Sequence, residues 1–127
     1  MATHCGVSIK TDKGYETIYC HNDGSPEHML PVLTKNYNSE ALAARLISYG
    51  DASFIADKLK PTTSFHTFDS PERGVCIFYH RDRHEPWEDN EPAFYSTKQE
   101  LTGYFYYTYL WQDGCWTFYK GGKKVII

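Results

Sequence analysis

Asp23-Gly24-Ser25-Pro26-Glu27 most narrows what this chain can form, because it obliges an extended segment to turn and enter a helix. Upstream, the alternation through Ile18 to Cys20 reads as a strand, and Asp23-Gly24 supplies a turn in which glycine can take positive φ. Ser25 then caps a helix, Pro26 fits its first position, where no N–H is needed, and Glu27 sets negative charge at its positive end. Cys20 and His21 fall at the end of the strand and His28 one turn into the helix, so side chains able to ligate a metal or act as nucleophile and base gather at one elbow.

The rest of the chain supports an α+β fold: one domain over residues 1–127, with an antiparallel β-sheet and two main helices packed on one face. At 127 residues a chain buries roughly two-thirds of its unfolded surface, enough for a core without disulfide or metal support. His4 to Lys10 alternates, turns at Thr11-Asp12-Lys13-Gly14 and returns as Tyr15 to Cys20, which is a hairpin. Met29, Leu30, Leu33 and Tyr37 recur at helical spacing, although Pro31 is expected to shorten or bend that helix. A second helix carries Leu42, Ala43, Leu46 and Ile47 on one stripe, capped by Asn38 or Ser39 and closed by Gly50. Val75 to Tyr79 reads as a buried strand, and Ser96 or Thr97 caps a short helix through Leu101. A long hairpin closes the chain, with Phe105, Tyr107, Tyr109 and Trp111 on one face and Tyr104, Tyr106, Thr108 and Leu110 on the other. Val125 to Ile127 adds a last short strand.

Residues 80–92 are read as the longest exposed loop, too charged and too proline-bounded for helix or central strand. Within it Arg81, Asp82, Arg83, Trp87, Glu88, Asp89 and Glu91 form an acidic surface around one aromatic anchor, suited to a protein partner because Trp and Arg concentrate interface energy. The competing reading is a solvated loop whose ion pairs contribute little.

The net charge of −3 argues against a general nucleic-acid binder, since phosphate contacts need a basic stripe. No long apolar run or signal segment is present, so neither membrane association nor secretion is expected, and the cytoplasm is the expected compartment. Cys5, Cys20, Cys76 and Cys115 lack Cys-x-x-Cys spacing and read as reduced. Cys20 and His21 point to opposite faces of their strand and cannot pair with each other. His4, Cys5, Cys20, His21 and His28 could approach a zinc site through the first hairpin, but without standard ligand spacing; no cofactor and no metal are expected.

Ile18-Tyr19-Cys20-His21, Asp23-Gly24, Pro26-Glu27, Leu46-Ile47, Gly50-Asp51 and Ser53 resemble a family of small bacteriophage and prophage proteins. Its members typically read Tyr-Cys-His-Trp-Asp-Gly-Tyr-Pro-Glu at the elbow and Leu-Ile-x-x-Gly-Asp-x-Ser after the second helix. Tyr79-His80-Arg81-Asp82-Arg83 is similar to its Tyr-x-Arg-Asp-Arg stretch, and Asp113-Gly114 followed by Trp116 to its end. This chain departs at Asn22 and Ser25, where large aromatics are usual. The resemblance implies a phage origin and supplies no activity, so the elbow residues Cys20, His21, Asp23 and Glu27 stand either as a site or as a well-formed turn.

Three functions follow. The first is a non-enzymatic accessory protein that binds and inhibits a host protein, including a bacterial immune effector such as a CRISPR nuclease. The second is a binder that sequesters a small nucleotide between Arg81, Arg83 and stacked tyrosines. The third is a small hydrolase or nuclease using His21 or His80 with Asp23 or Asp82. The first suits the size, the acidity and a composition of 11 Tyr, 7 Phe and 3 Trp.

Overall fold

Alternating residues make the predicted hairpin from β1 (Cys5–Lys10) and β2 (Tyr15–Cys20), with Cys5 opposite Cys20 and Lys10 opposite Tyr15. The structure, a computed structural model, describes residues 2–127. At the elbow Asp23, not Gly24, takes the positive φ, at 54°. Gly24 is required for room instead: a Cβ there would lie 2.8 Å from Cys5 Cβ and from the backbone of Thr3 and His4. Ser25 holds the cap position without a capping bond from its side chain, and Pro26 opens α1 (Pro26–Asn36).

Of the two effects expected of Pro31, shortening does not occur, and α1 runs through it to Asn36. The proline removes one N–H bond near the helix start, and both it and Glu27 are exposed, so water can satisfy the carbonyl left over. Helix α2 (Glu40–Ser48) follows as predicted. The Ser39 hydroxyl accepts from Leu42 N–H at 3.1 Å, and Gly50, at φ 84°, lies just beyond its end.

Among the described residues eight strands form one sheet, in the order β4 (Ile77–Phe78), β3 (Ala52–Phe54), β2, β1, β6 (Tyr107–Gln112), β7 (Cys115–Lys120) and β8 (Lys123–Val125), with β5 (Ala93–Tyr95) attached to β2. The sheet is mixed rather than wholly antiparallel, because β1 lies parallel to β6 and β2 to β3. β3 (Ala52–Phe54), β4 (Ile77–Phe78), β5 (Ala93–Tyr95) and β8 (Lys123–Val125) have two or three residues each. β6 (Tyr107–Gln112) and β7 (Cys115–Lys120) are the predicted closing hairpin.

Both main helices bury Met29, Leu33, Ala43, Leu46 and Ile47 against Val7, Ile18, Tyr109 and Phe118 on one face of the sheet. A smaller cluster of Tyr15, Leu101, Phe105, Leu110 and Tyr119 occupies the other, under α4 (Lys98–Tyr104). Phe105 is therefore on the face opposite to the one expected. The helix extends through Tyr104, so the strand alternation begins only at Tyr107, and the Phe105 ring fills the space above Gly6.

Residues 80–92 are not a featureless loop. Tyr79–Arg83 form a short helix, α3, and Trp87–Asp89 a single 3-10 turn. Asp82 makes the helix possible by accepting from Phe78 N–H at 2.8 Å, which satisfies a donor at the helix entrance. The longest irregular segment is instead 55–76, held by Glu72, whose carboxylate accepts from the N–H and hydroxyl groups of Thr62 and Thr63. The Thr62 hydroxyl, with the three other donors, holds the Glu72 carboxyl down at about 2.

Tyr109 donates its hydroxyl to the Gly24 carbonyl at 2.7 Å in the buried core. A Tyr109→Phe variant leaves that carbonyl unpaired and is expected to lose about 1–3 kcal/mol in urea unfolding. An unchanged unfolding midpoint would show that the bond does not hold the elbow.

Candidate functional site

Tyr19 and His21 lie two residues apart and share a face, while Cys20 between them is fully buried in the core beneath the main helices. The elbow therefore presents Tyr19 and His21 together and keeps Cys20 away from both. His4, just ahead of β1, completes a small network. Its Nδ1 is 3.0 Å from the His21 carbonyl and 2.8 Å from the Tyr19 hydroxyl, which is itself 2.6 Å from His21 Nδ1. A carbonyl only accepts, so His4 Nδ1 carries the proton and the Tyr19 oxygen accepts from it, while the third bond joins the Tyr19 hydroxyl and His21 Nδ1. Asp23 and Glu27 remain exposed at the turn and are not drawn into this network. His28 is turned away, with Nε2 2.7 Å from the Ile55 carbonyl. No group of three or more His, Cys, Asp or Glu side chains is placed to hold a metal among the described residues.

Two adjoining clefts open beside the network and share Tyr19, Tyr104 and Phe105. One, of about 400 Å³, extends along Tyr106 and Tyr107 to His4. The other, of about 340 Å³, runs past Tyr95 to Asp51 and Glu91. Short α4 covers this face incompletely, so Tyr104 is 72% and Tyr106 60% exposed. Tyr104 meets Phe105 edge to face at 4.8 Å, and Tyr95 stands 6.0 Å from Tyr104.

Asp51 stands where the outer edge of β2 changes partner. β5 pairs with residues 15–17 and β3 with Cys20; between them Tyr19 N–H is met by the Asp51 carboxylate at 2.9 Å. Burial pushes the Asp51 carboxyl up to about 6, against the opposing pull of the Tyr19 N–H. Burial also raises the Tyr19 phenol. No family model, curated protein or solved structure matches the chain. The chemistry of the site therefore rests on its own residues.

The acidic segment divides into two parts. Arg81 is held internally: its guanidinium donates to the Leu59 and Cys76 carbonyls, forks onto Asp82, and lies 5.0 Å from the Phe78 ring centre. Asp82 is 5% exposed and faces His66, itself 2% exposed, with Nε2 3.3 Å from Oδ1. Glu72 N–H donates to His66 Nδ1, so the neutral imidazole carries its proton on Nε2, which lies close to Asp82 without forming a hydrogen bond. Arg83 lies over Phe68 and near Glu85. Trp87 packs edge-on to His80 and against Gly50, anchoring the 3-10 turn. Glu88, Asp89 and Glu91 are exposed, and Glu91 lines the cleft with Tyr104. His66 and Tyr95 escaped the sequence reading, and Asp51 entered it only through the Gly50-Asp51 pair of the family resemblance, without a role at a site.

The folded chain holds the Asp51 proton more tightly than the unfolded chain does. Its ionisation therefore removes stability as pH rises from about 4 to about 6, and the loss is complete above that window. Asp51→Asn keeps an acceptor for Tyr19 N–H, so its melting temperature relative to wild type should be higher at about pH 7 than at about pH 4. Equal offsets at both pH values would contradict the burial of this carboxyl.

Proposed function

We propose that the chain is a non-enzymatic accessory protein of phage type that binds a host protein and inhibits it, with a bacterial immune effector such as a CRISPR nuclease as the class of target. The observation that carries this reading is the meeting of the acidic segment and the aromatic cleft, where Glu91 and Tyr104 line one opening. Tyrosines offer wide contact area at low entropic cost, and Tyr104 and Tyr106 at this rim are exposed. Glu88, Asp89 and Glu91 extend negative charge from the cleft, which suits a basic surface such as one that handles nucleic acid. A nucleotide is the poorer ligand, because its phosphates would meet Asp51 and Glu91 while Arg81 is engaged internally.

Affinity capture from bacterial lysate should recover a stoichiometric protein that Tyr104→Ala/Tyr106→Ala loses. Glu88→Gln/Asp89→Asn/Glu91→Gln should weaken the same complex, most clearly at low salt. Equal capture by wild type and both folded variants would move the interface elsewhere, and failure of wild type to hold any protein would end this reading.

A further inference from the structure

The cleft between β5 and α4 combines features that fit one kind of group. Asp51 Oδ1 has a single protein donor, Tyr19 N–H, and neither Asp51 nor Glu91 forms an ion pair among the described residues. Asp51 N–H donates to the Asn90 carbonyl at 2.8 Å, which keeps Asp51 beside the segment that carries Glu91. Two carboxylates without counter-charges thus share an opening of about 340 Å³ with the rings of Tyr95, Tyr104 and Phe105. Aromatic faces attract cations, and a half-buried carboxylate gains most from a partner that restores its lost solvation.

Of the common cations, a guanidinium fits best. It is planar, so it can stack on a ring while its N–H fork meets a carboxylate; a compact ammonium can do one or the other. The interior of this protein already holds such an arrangement, with Arg81 forked onto Asp82 over the Phe78 and Tyr49 rings. In the cleft the carboxylate and rings are present and the guanidinium must come from outside.

We infer that this cleft receives an arginine side chain presented by the protein partner, seated on Tyr95 and Tyr104 and forked toward Asp51 and Glu91. This rests on the protein-binding reading above and names the group that the partner contributes.

N-acetyl-arginine-N-methylamide is the probe, titrated into the intact chain while the amide resonances of Tyr19 and Asp51 are followed by NMR. A saturable shift is expected, with a dissociation constant of about 1–10 mM for so small a ligand. The neutral citrulline analogue should give no saturable shift, and the lysine analogue should bind several-fold more weakly. Asp51→Asn/Glu91→Gln should weaken the arginine probe by about tenfold or more. Its melting curve confirms folding, and Tyr104→Ala is a second variant expected to bind weakly. Equal shifts with citrulline, undiminished binding by both variants, or no saturation would overturn the inference.

The two readings separate cleanly. A captured partner with no arginine binding removes the inference and leaves the protein-binding reading intact. Where a partner is captured, the arginine probe at its own dissociation constant should about double the partner's apparent dissociation constant, as competition requires; binding of the probe with no such change would overturn the partner as the source of the side chain.

Discussion

A single buried hydroxyl joins the two ends of this fold. Tyr109, on the closing hairpin, donates to the carbonyl of Gly24, 85 residues earlier, at the point where the first hairpin becomes a helix. Trp116 Nε1–H donates to the Tyr37 carbonyl and the Tyr37 hydroxyl to that of Ala56, so the same hairpin also holds the end of α1 and the segment after β3. Each bond contributes only about 1 kcal/mol net, but each buried carbonyl would cost more if left unpaired. These rings fill the core and deliver polar tips to backbone that has left regular structure. The elbow geometry, and with it the placement of Tyr19 and His21, depends on them.

The two faces of the sheet are built unequally. α1 and α2 cover one face with a continuous apolar layer, while α4, at seven residues, covers only part of the other. Aromatic side chains on the second face are consequently divided. Phe105 is buried over Gly6, whereas Tyr104 and Tyr106 emerge at the rim. The carboxylate that bridges the broken edge of β2 opens into the same space. Asp51 thereby serves the backbone at a cost in stability, once ionised, that a residue without charge would not incur.

Local chemistry was legible where it was sufficient to decide structure. Strand alternation located both hairpins, and Ser39 and Gly50 bounded α2 because capping involves only neighbouring residues. Pro31 does not end its helix because the cost of a missing N–H depends on whether its exposed surroundings admit water. Residues 79–83 form a helix through contacts that sequence order hides: Asp82 accepts from the Phe78 N–H, and Arg81 donates to the Cys76 carbonyl and to that of Leu59, 22 residues earlier. The opposite orientations of Cys20 and His21 followed from strand geometry. The assembly of Asp51, Glu91, Tyr95 and Tyr104 did not, because it requires β3 and β5 to dock on one edge of β2, and strands this short carry almost no pattern.

The shortness of those outer strands has another consequence. The outermost strands of the sheet have two or three residues each: β4 at one side, β8 with Lys123 and Lys124 at the other, and β5 on β2. A further strand, from another copy or from an extended peptide, would find too few free backbone groups in line to form a ladder. A chain rich in tyrosine thereby offers little main-chain edge on which to stack, and the large groups it does expose, Tyr104 and Tyr106 among them, are side chains.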